Sequence, residues 1–231
     1  MKNELNGMMK GATWQNLYDT LWHIATVRYT SHDRLKEALP KRVWRRKCAT
    51  PKKLKALAEA GLLNLSETGV LTCTPKTLQF LKTNTDYNLE IIKLAQGAGE
   101  KDTLSNSVVL LKLMQLEDFY ALFYPEFRLT PKDDQPFLIP DGALVFKKDG
   151  LARLVFLEIE RPKPDWKNHL LNKKDNYERL AADPQIWDDW WRHYCAVLKL
   201  QMCPQKEFGF SILCIGAFKA EWPGWEFKDE T

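Results

Sequence analysis

Residues 137–160 read FLIPDGALVFKKDGLARLVFLEIE, and the Asp149-Gly150 pair inside this stretch constrains the fold more than any other feature. Two runs rich in Leu, Val and Phe flank it, Ala143 to Phe146 and Leu151 to Ile159. An Asp-Gly pair between apolar runs predicts a two-residue hairpin turn, whose central residues need positive φ. With 149 and 150 in the turn, the numbers of facing residues sum to 299, so Asp141 faces Glu158 with Cβ atoms about 5 Å apart. Side chains alternate with period two, which puts Glu160 on the same face as Glu158. Three carboxylates are thus expected at one end of one hairpin. A slip of one residue would send Asp141 to the opposite face.

The second run is apolar on both faces, with Ala152, Leu154 and Phe156 on one and Val155, Leu157 and Ile159 on the other. That pattern is typical of a central strand in a covered sheet. Carboxylates gathered at the end of a buried strand repel one another unless a cation or a proton intervenes. Oxygen ligands at this density suit Mg²⁺ or Mn²⁺. The competing reading pairs Glu158 and Glu160 with Arg161 and Lys163 at the strand exit. In the next expected helix, Trp166 to Ala182, the residues Trp166, Leu170, Lys173, Tyr177 and Leu180 share one stripe. A stripe with Trp and two Leu should face the sheet, and a lysine there needs a partner, which the carboxylates would supply. A Lys173 that snorkels at the sheet edge is the alternative.

Nearer the N-terminus, Lys41 to Lys55 reads KRVWRRKCATPKKLK, with eight basic residues and no acidic one. Such a run is usually a solvated face, so its setting matters. Trp14, Leu17, Leu21 and Ile24 recur at helical spacing. Ser31 can cap a second helix, His32 to Leu39, ended by Pro40. Thr50 can cap a third, with Pro51 at its first position and Gly61 just past its end. On this helix Leu54, Leu57 and Ala58 are expected inside and Lys52, Lys53 and Lys55 outside. A turn-rich stretch from Asn64 to Gly69, a strand from Val70 to Thr74 and a helix from Pro75 to Lys82 complete the order of a winged helix-turn-helix. Such modules place the third helix in the DNA major groove and hold phosphates with flanking basic residues, here Arg45, Arg46, Lys47, Lys52, Lys53 and Lys55. Winged helices also dock proteins, which is the other reading of this module.

A chain of 231 residues suggests one large domain or two small ones. The expected layout is a DNA-binding domain at 1–84, a linker at 85–102 and a second domain at 103–231, opening with a helix from Thr103 to Tyr120. Leu89, Ile91, Ile92 and Leu94 can add a short helix within the linker. The fold class is α/β (α+β), with a mixed sheet in the second domain. Later, Trp187, Trp190, Trp191, Tyr194 and Leu198 follow helical spacing after Pro184, Phe208 to Gly216 reads as a buried strand, and Trp222 to Trp225 reads as a turn. With 45% hydrophobic and 28% charged residues, collagen-like and disordered readings are excluded. A net charge of +4 is too small to argue for nucleic acid by itself.

Five cysteines form no CxxC pair, and four histidines show neither HxxxH nor HExxH spacing, which disfavours a disulfide scaffold and a histidine-based zinc site. No apolar run approaches the roughly 20 residues a bilayer needs, and no signal peptide is apparent, so a cytoplasmic protein with no membrane partner is expected.

Two resemblances follow from these residues. The stretch ATPKKLKALAEAGLLNLSETGVLTCTPKTLQFL is similar to repressor-type winged helices, with Pro75 where a glycine is common. Pro140-Asp141, the hairpin, Glu158-Ile159-Glu160, then Lys173 and Tyr177 resemble the PD-(D/E)XK nuclease superfamily. Together with a preceding winged helix, the arrangement is similar to plasmid replication-relaxation proteins and to the mobilisation-protein-C type of relaxase. The resemblance spans roughly residues 14 to 182. It implies a restriction-endonuclease-like domain in which Asp141 and Glu158, with Glu160, hold Mg²⁺ or Mn²⁺. Glu160 occupies the usual lysine position, so the resemblance assigns the lysine role to Lys173, with Tyr177 positioning Lys173. The implied activity is DNA nicking at a plasmid or mobile-element origin. Partners would be origin-like double-stranded DNA and other mobilisation or replication proteins, with a homodimer left open. The alternatives are a non-catalytic winged-helix regulator with a degenerate nuclease-like domain, and a protein-docking adaptor.

Overall fold

The computed structural model describes residues 14–39, 50–86, 89, 92, 94–95, 100–124, 138–149, 151–160, 165–199, 210–216 and 219–229. The protein is mixed α and β, with helices and two sheets, and it divides into two compact units, Met1–Glu117 and Asp118–Thr231.

The first unit runs α1 (Trp14–Val27), β1 (Thr30–Ser31), α2 (His32–Ala38), α3 (Pro51–Glu59), β2 (Leu63–Leu65), β3 (Val70–Cys73), α4 (Pro75–Asn84) and α5 (Glu100–Leu113). Its strands form an antiparallel sheet ordered β1-β3-β2. Leu21, Ile24, Leu35, Leu57, Leu71 and Phe80 build the core. The Ser31 hydroxyl accepts from Arg34 N at 3.4 Å, as the capping pattern predicts. Thr50 makes no such side-chain bond; its carbonyl accepts from Lys53 N and Leu54 N instead. Gly61, with φ 73°, lets the chain leave α3 in the left-handed conformation that favours glycine. β1 and β2, which no alternation in so short a segment could announce, complete the small sheet.

Helix α5 packs on α1 and α2 in this first unit, with Arg34 Nη1 donating to Ser105 O at 3.2 Å. The division between units therefore falls at Glu117/Asp118 rather than at the expected 102/103. The helix expected to reach Tyr120 ends at Leu113, and Asp118 turns the chain with φ 62° into a strand from Phe119. Leu116 and Tyr120 continue the helical spacing of the preceding apolar residues, which hides the break from a periodicity reading.

In the second unit β4 (Phe119–Phe123), β5 (Gly142–Lys148), β6 (Leu151–Ile159), β7 (Phe210–Ile215) and β8 (Trp225–Lys228) form one sheet in that order. The first three strands pair antiparallel and the last two join in parallel. Helices α6 (Trp166–Ala182) and α7 (Pro184–Val197) lie between β6 and β7 in the chain. The β5–β6 register runs from Gly142↔Leu157 to Lys148↔Leu151, every pair summing to 299, as the turn predicts. Asp149 takes φ 50°, while Gly150 lies outside the described residues. The stretch from Trp222 holds both the expected turn and an unexpected edge strand, β8, whose Trp225 and Phe227 are half-buried. Among the described residues no helix is long and apolar enough to cross a membrane.

A carboxylate and lysine cluster at the end of the central hairpin

Strand β6 carries Glu158 to the end of the sheet interior, where it is the one Asp, Glu, Lys or Arg buried among the described residues. The parallel partner of Glu158 on β7 is Cys214, also fully buried. Asp141 sits one residue before β5 and, in place of a ladder bond, its Oδ2 accepts from Ile159 N at 2.7 Å. Glu160 follows β6, its N–H donating to Ile215 O at 2.9 Å. The close approach at this end of the sheet requires Gly216: a Cβ there would lie 2.2 Å from Glu160 O.

Helix α6 supplies the cation. Its stripe is buried at Leu170, Tyr177 and Leu180, and Lys173 is carried with them onto the sheet. Lys173 Nζ donates to Glu158 Oε2 and to Glu160 Oε1, the latter at 2.8 Å, and lies 4.0 Å from Asp141 Oδ2. Side-chain exposure is 15% for Lys173, 0% for Glu158, 10% for Glu160 and 39% for Asp141, so the cluster opens to solvent mainly at Asp141. Lys173 does not snorkel to the sheet edge. The ion pairs of Glu158 and Glu160 run to Lys173; Arg161 and Lys163 lie outside the described residues.

Tyr177, expected to position Lys173, instead donates to Glu158 Oε1 at 2.6 Å. One helical turn separates the two side chains, which lets them reach the two oxygens of one carboxylate.

The electrostatics follow from burial. Loss of solvent pushes the Glu158 carboxyl up to about 7, against the pull of Lys173 and with a further push from Asp141. Burial alone would lower the Lys173 amine, but Glu158, Asp141 and Glu160 together hold it above its ordinary value. The ammonium is thus the firmer charge of the pair. Burial raises the Tyr177 phenol well above its usual range, and pushes the Cys214 thiol up to about 12, the nearby Glu160 and Glu158 charges adding to the effect. Cys214 is a neighbour that sequence reading missed, since its proximity depends on long-range parallel pairing. Cys73, Cys195 and Cys214 are all buried.

The cluster offers oxygen donors of the hard type that Mg²⁺ and Mn²⁺ prefer. Among the described residues no group of three or more His, Cys, Asp or Glu is disposed to hold a metal ion. Asp141 keeps one oxygen, Oδ1, outside the hydrogen bond to Ile159 N, and Glu158 Oε2 faces the ammonium.

In the first unit, Lys52 and Lys55 on α3 are exposed, as the helical spacing predicts. Lys53 is not: it is half-buried and its Nζ, shielded from solvent, has no hydrogen-bond partner among the described residues. Arg45, Arg46 and Lys47 lie outside the described residues. In α7 the aromatic stripe is buried at Trp191 and followed by buried Leu198, while the side chains of Trp187, Trp190 and Tyr194 lie outside the described residues. Compared with protein-family models, curated proteins and solved structures, the chain matches none.

Proposed function

We propose that the protein is a metal-dependent DNA endonuclease, a nickase acting at a plasmid or mobile-element origin in the cytoplasm. The observation that carries this reading is the placement of Lys173 Nζ among Asp141, Glu158 and Glu160 at the end of a hairpin. A lysine half-buried among three carboxylates is costly to build for stability alone, because desolvation offsets much of the Coulomb gain. The strand order, three antiparallel strands followed by two parallel ones, also supports a nuclease-like second unit. The helix–strand–helix–helix–hairpin–helix order of the first unit supports a winged helix that presents Lys52 and Lys55 to DNA.

In this reading Asp141 and Glu158 hold the ion. A bound Mg²⁺ or Mn²⁺ acidifies water and stabilises charge on the scissile phosphate. Lys173 neutralises the phosphate and orients the attacking water, with Glu160 fixing the ammonium rather than serving as a principal metal ligand. Nicking of supercoiled plasmid bearing the protein's own genetic neighbourhood tests this. Open circles should accumulate with Mn²⁺ or Mg²⁺, and Asp141→Asn should slow their appearance by roughly 10²-fold or more, the scale of losing a preorganised charge partner.

A second reading, a non-catalytic DNA-binding regulator, is favoured by one observation. The ammonium already satisfies Glu158 and Glu160, and Tyr177 takes the remaining oxygen of Glu158. Site binding without nicking under any divalent metal selects this reading. Both readings need the first unit on DNA. Neutralising Lys52 and Lys55 should flatten the log–log salt dependence of duplex binding by about 0.9 for each phosphate that is no longer neutralised. An unchanged slope would favour the protein-docking role for this unit.

A further inference from the structure

Tyr177 is 2% exposed, and its ring fills an aromatic slot. Phe156 lies 5.6 Å away between ring centroids, Phe210 6.1 Å, and Trp225 5.3 Å in an edge-on contact. A phenylalanine would fill that slot without burying a hydroxyl. Burying an oxygen there is unfavourable unless it is bonded, and its bond runs to Glu158. The two oxygens of Glu158 are thereby divided, Oε1 to Tyr177 and Oε2 toward Lys173. With Oε1 pinned, the carboxylate plane is set and Oε2 is aimed into the cluster that Asp141 opens to solvent.

We propose that Tyr177 is a positioning residue for Glu158, acting through the hydroxyl to hold the carboxylate in the orientation that a divalent cation requires. The proposal rests on the metal-site reading above and adds a residue to it. Carboxylates that ligate metals depend on such outer hydrogen bonds, and losing one typically weakens metal binding by 10–100-fold. The rings around Tyr177 keep the hydroxyl from swinging away, so the hydrogen bond acts as a fixed stop.

The test uses the full chain and Tyr177→Phe, with Mn²⁺ as the probe. Two readouts are needed. A crystal structure of the metal-free variant should show the Glu158 carboxylate rotated or split between rotamers, with the aromatic slot unchanged. Calorimetric titration should show Mn²⁺ bound at least 10-fold more weakly than by the wild type. Leu180→Ala, a packing change on the same helix stripe, should lower the melting temperature yet leave Mn²⁺ affinity of the folded protein unchanged, so that mere loosening of α6 is distinguished from loss of the hydroxyl. Glu158 in an unchanged orientation in Tyr177→Phe overturns the proposal. So does unchanged Mn²⁺ affinity while Asp141→Asn loses it, a result that leaves the metal site standing. A wild type that takes up no Mn²⁺ sinks the metal-site reading and, with it, the role of Tyr177 toward a cation.

Discussion

Lys173→Ala should destabilise the second unit by an amount that grows with pH above neutrality. In the wild type the ammonium faces Glu158, Glu160 and Asp141. Without it, Glu158 retains, among the described residues, the Tyr177 hydroxyl as its hydrogen-bond donor in a fully buried setting. Its carboxyl is already pushed up to about 7 by burial, and losing the cation moves it further up. The sign follows from proton counting. Between the unfolded glutamate value and the raised folded one, the native state holds a proton that the unfolded chain has released, so stability falls as pH rises, by about 1.4 kcal/mol per unit. The wild type stops losing stability from this source near pH 7, whereas the variant continues. Removing one partner of a buried ion pair costs about 3–5 kcal/mol when the other must stay charged. Urea unfolding at pH 6 and pH 9 checks this, and an equal loss at both would show that Lys173 is not coupled to Glu158. Adding Glu158→Gln should recover much of the loss, since no carboxylate is then stranded. If the protein nicks DNA, the single variant should also lose roughly 10²-fold of that rate while still binding DNA.

Gly216→Ala should be the most damaging of small substitutions near the site. The new methyl would meet Glu160 O at 2.2 Å, backbone against backbone, where no side-chain rotation gives relief. Ladder bonds hold both segments: Glu160 N to Ile215 O at 2.9 Å and Gly216 N to Lys228 O at 3.0 Å. Something must yield at the point where Glu160 grips Lys173. A loss of about 1–3 kcal/mol is the ordinary scale of overpacking. Gly224→Ala is the control, because Gly224 has φ 78° but nothing within 4 Å of an added Cβ, leaving only backbone strain of about 1–2 kcal/mol. Thermal unfolding no worse in Gly216→Ala than in Gly224→Ala would mean that the approach to Glu160 is readily relieved.

What was legible in the sequence was local. The Asp149-Gly150 turn set the register of seven cross-strand pairs, because a two-residue turn leaves no freedom in the count. The stripe on α6 predicted that Lys173 would be carried inward, because Leu170 and Leu180 dictate which face is buried. Features that depend on distant partners were not legible. That Tyr177 meets Glu158 rather than Lys173 depends on how α6 is rotated over the sheet. That Cys214 borders Glu158 depends on a parallel pairing across two helices. The end of α5 was hidden because helix and strand residues around Asp118 share an apolar spacing. Lys53, charged and on the predicted outer face, is half-buried, one helical turn from buried Leu57.

The hairpin also imposes a parity rule on how this protein can change length. Asp141 and Glu158 stand at equal counts from the turn, so residues removed from one arm alone separate them. Removing one residue from each arm next to the turn keeps them opposite, but it exchanges the hydrogen-bonded and non-hydrogen-bonded character of the pair that closes the turn, which a two-residue turn does not accommodate equally. Removing two from each arm preserves both the facing pair and the character of the closing pair, and yields a shorter hairpin with the same cluster at its end. Length at this turn is therefore free only in matched steps of two, while the cluster itself depends on β7 and α6 and is indifferent to how far away the turn lies.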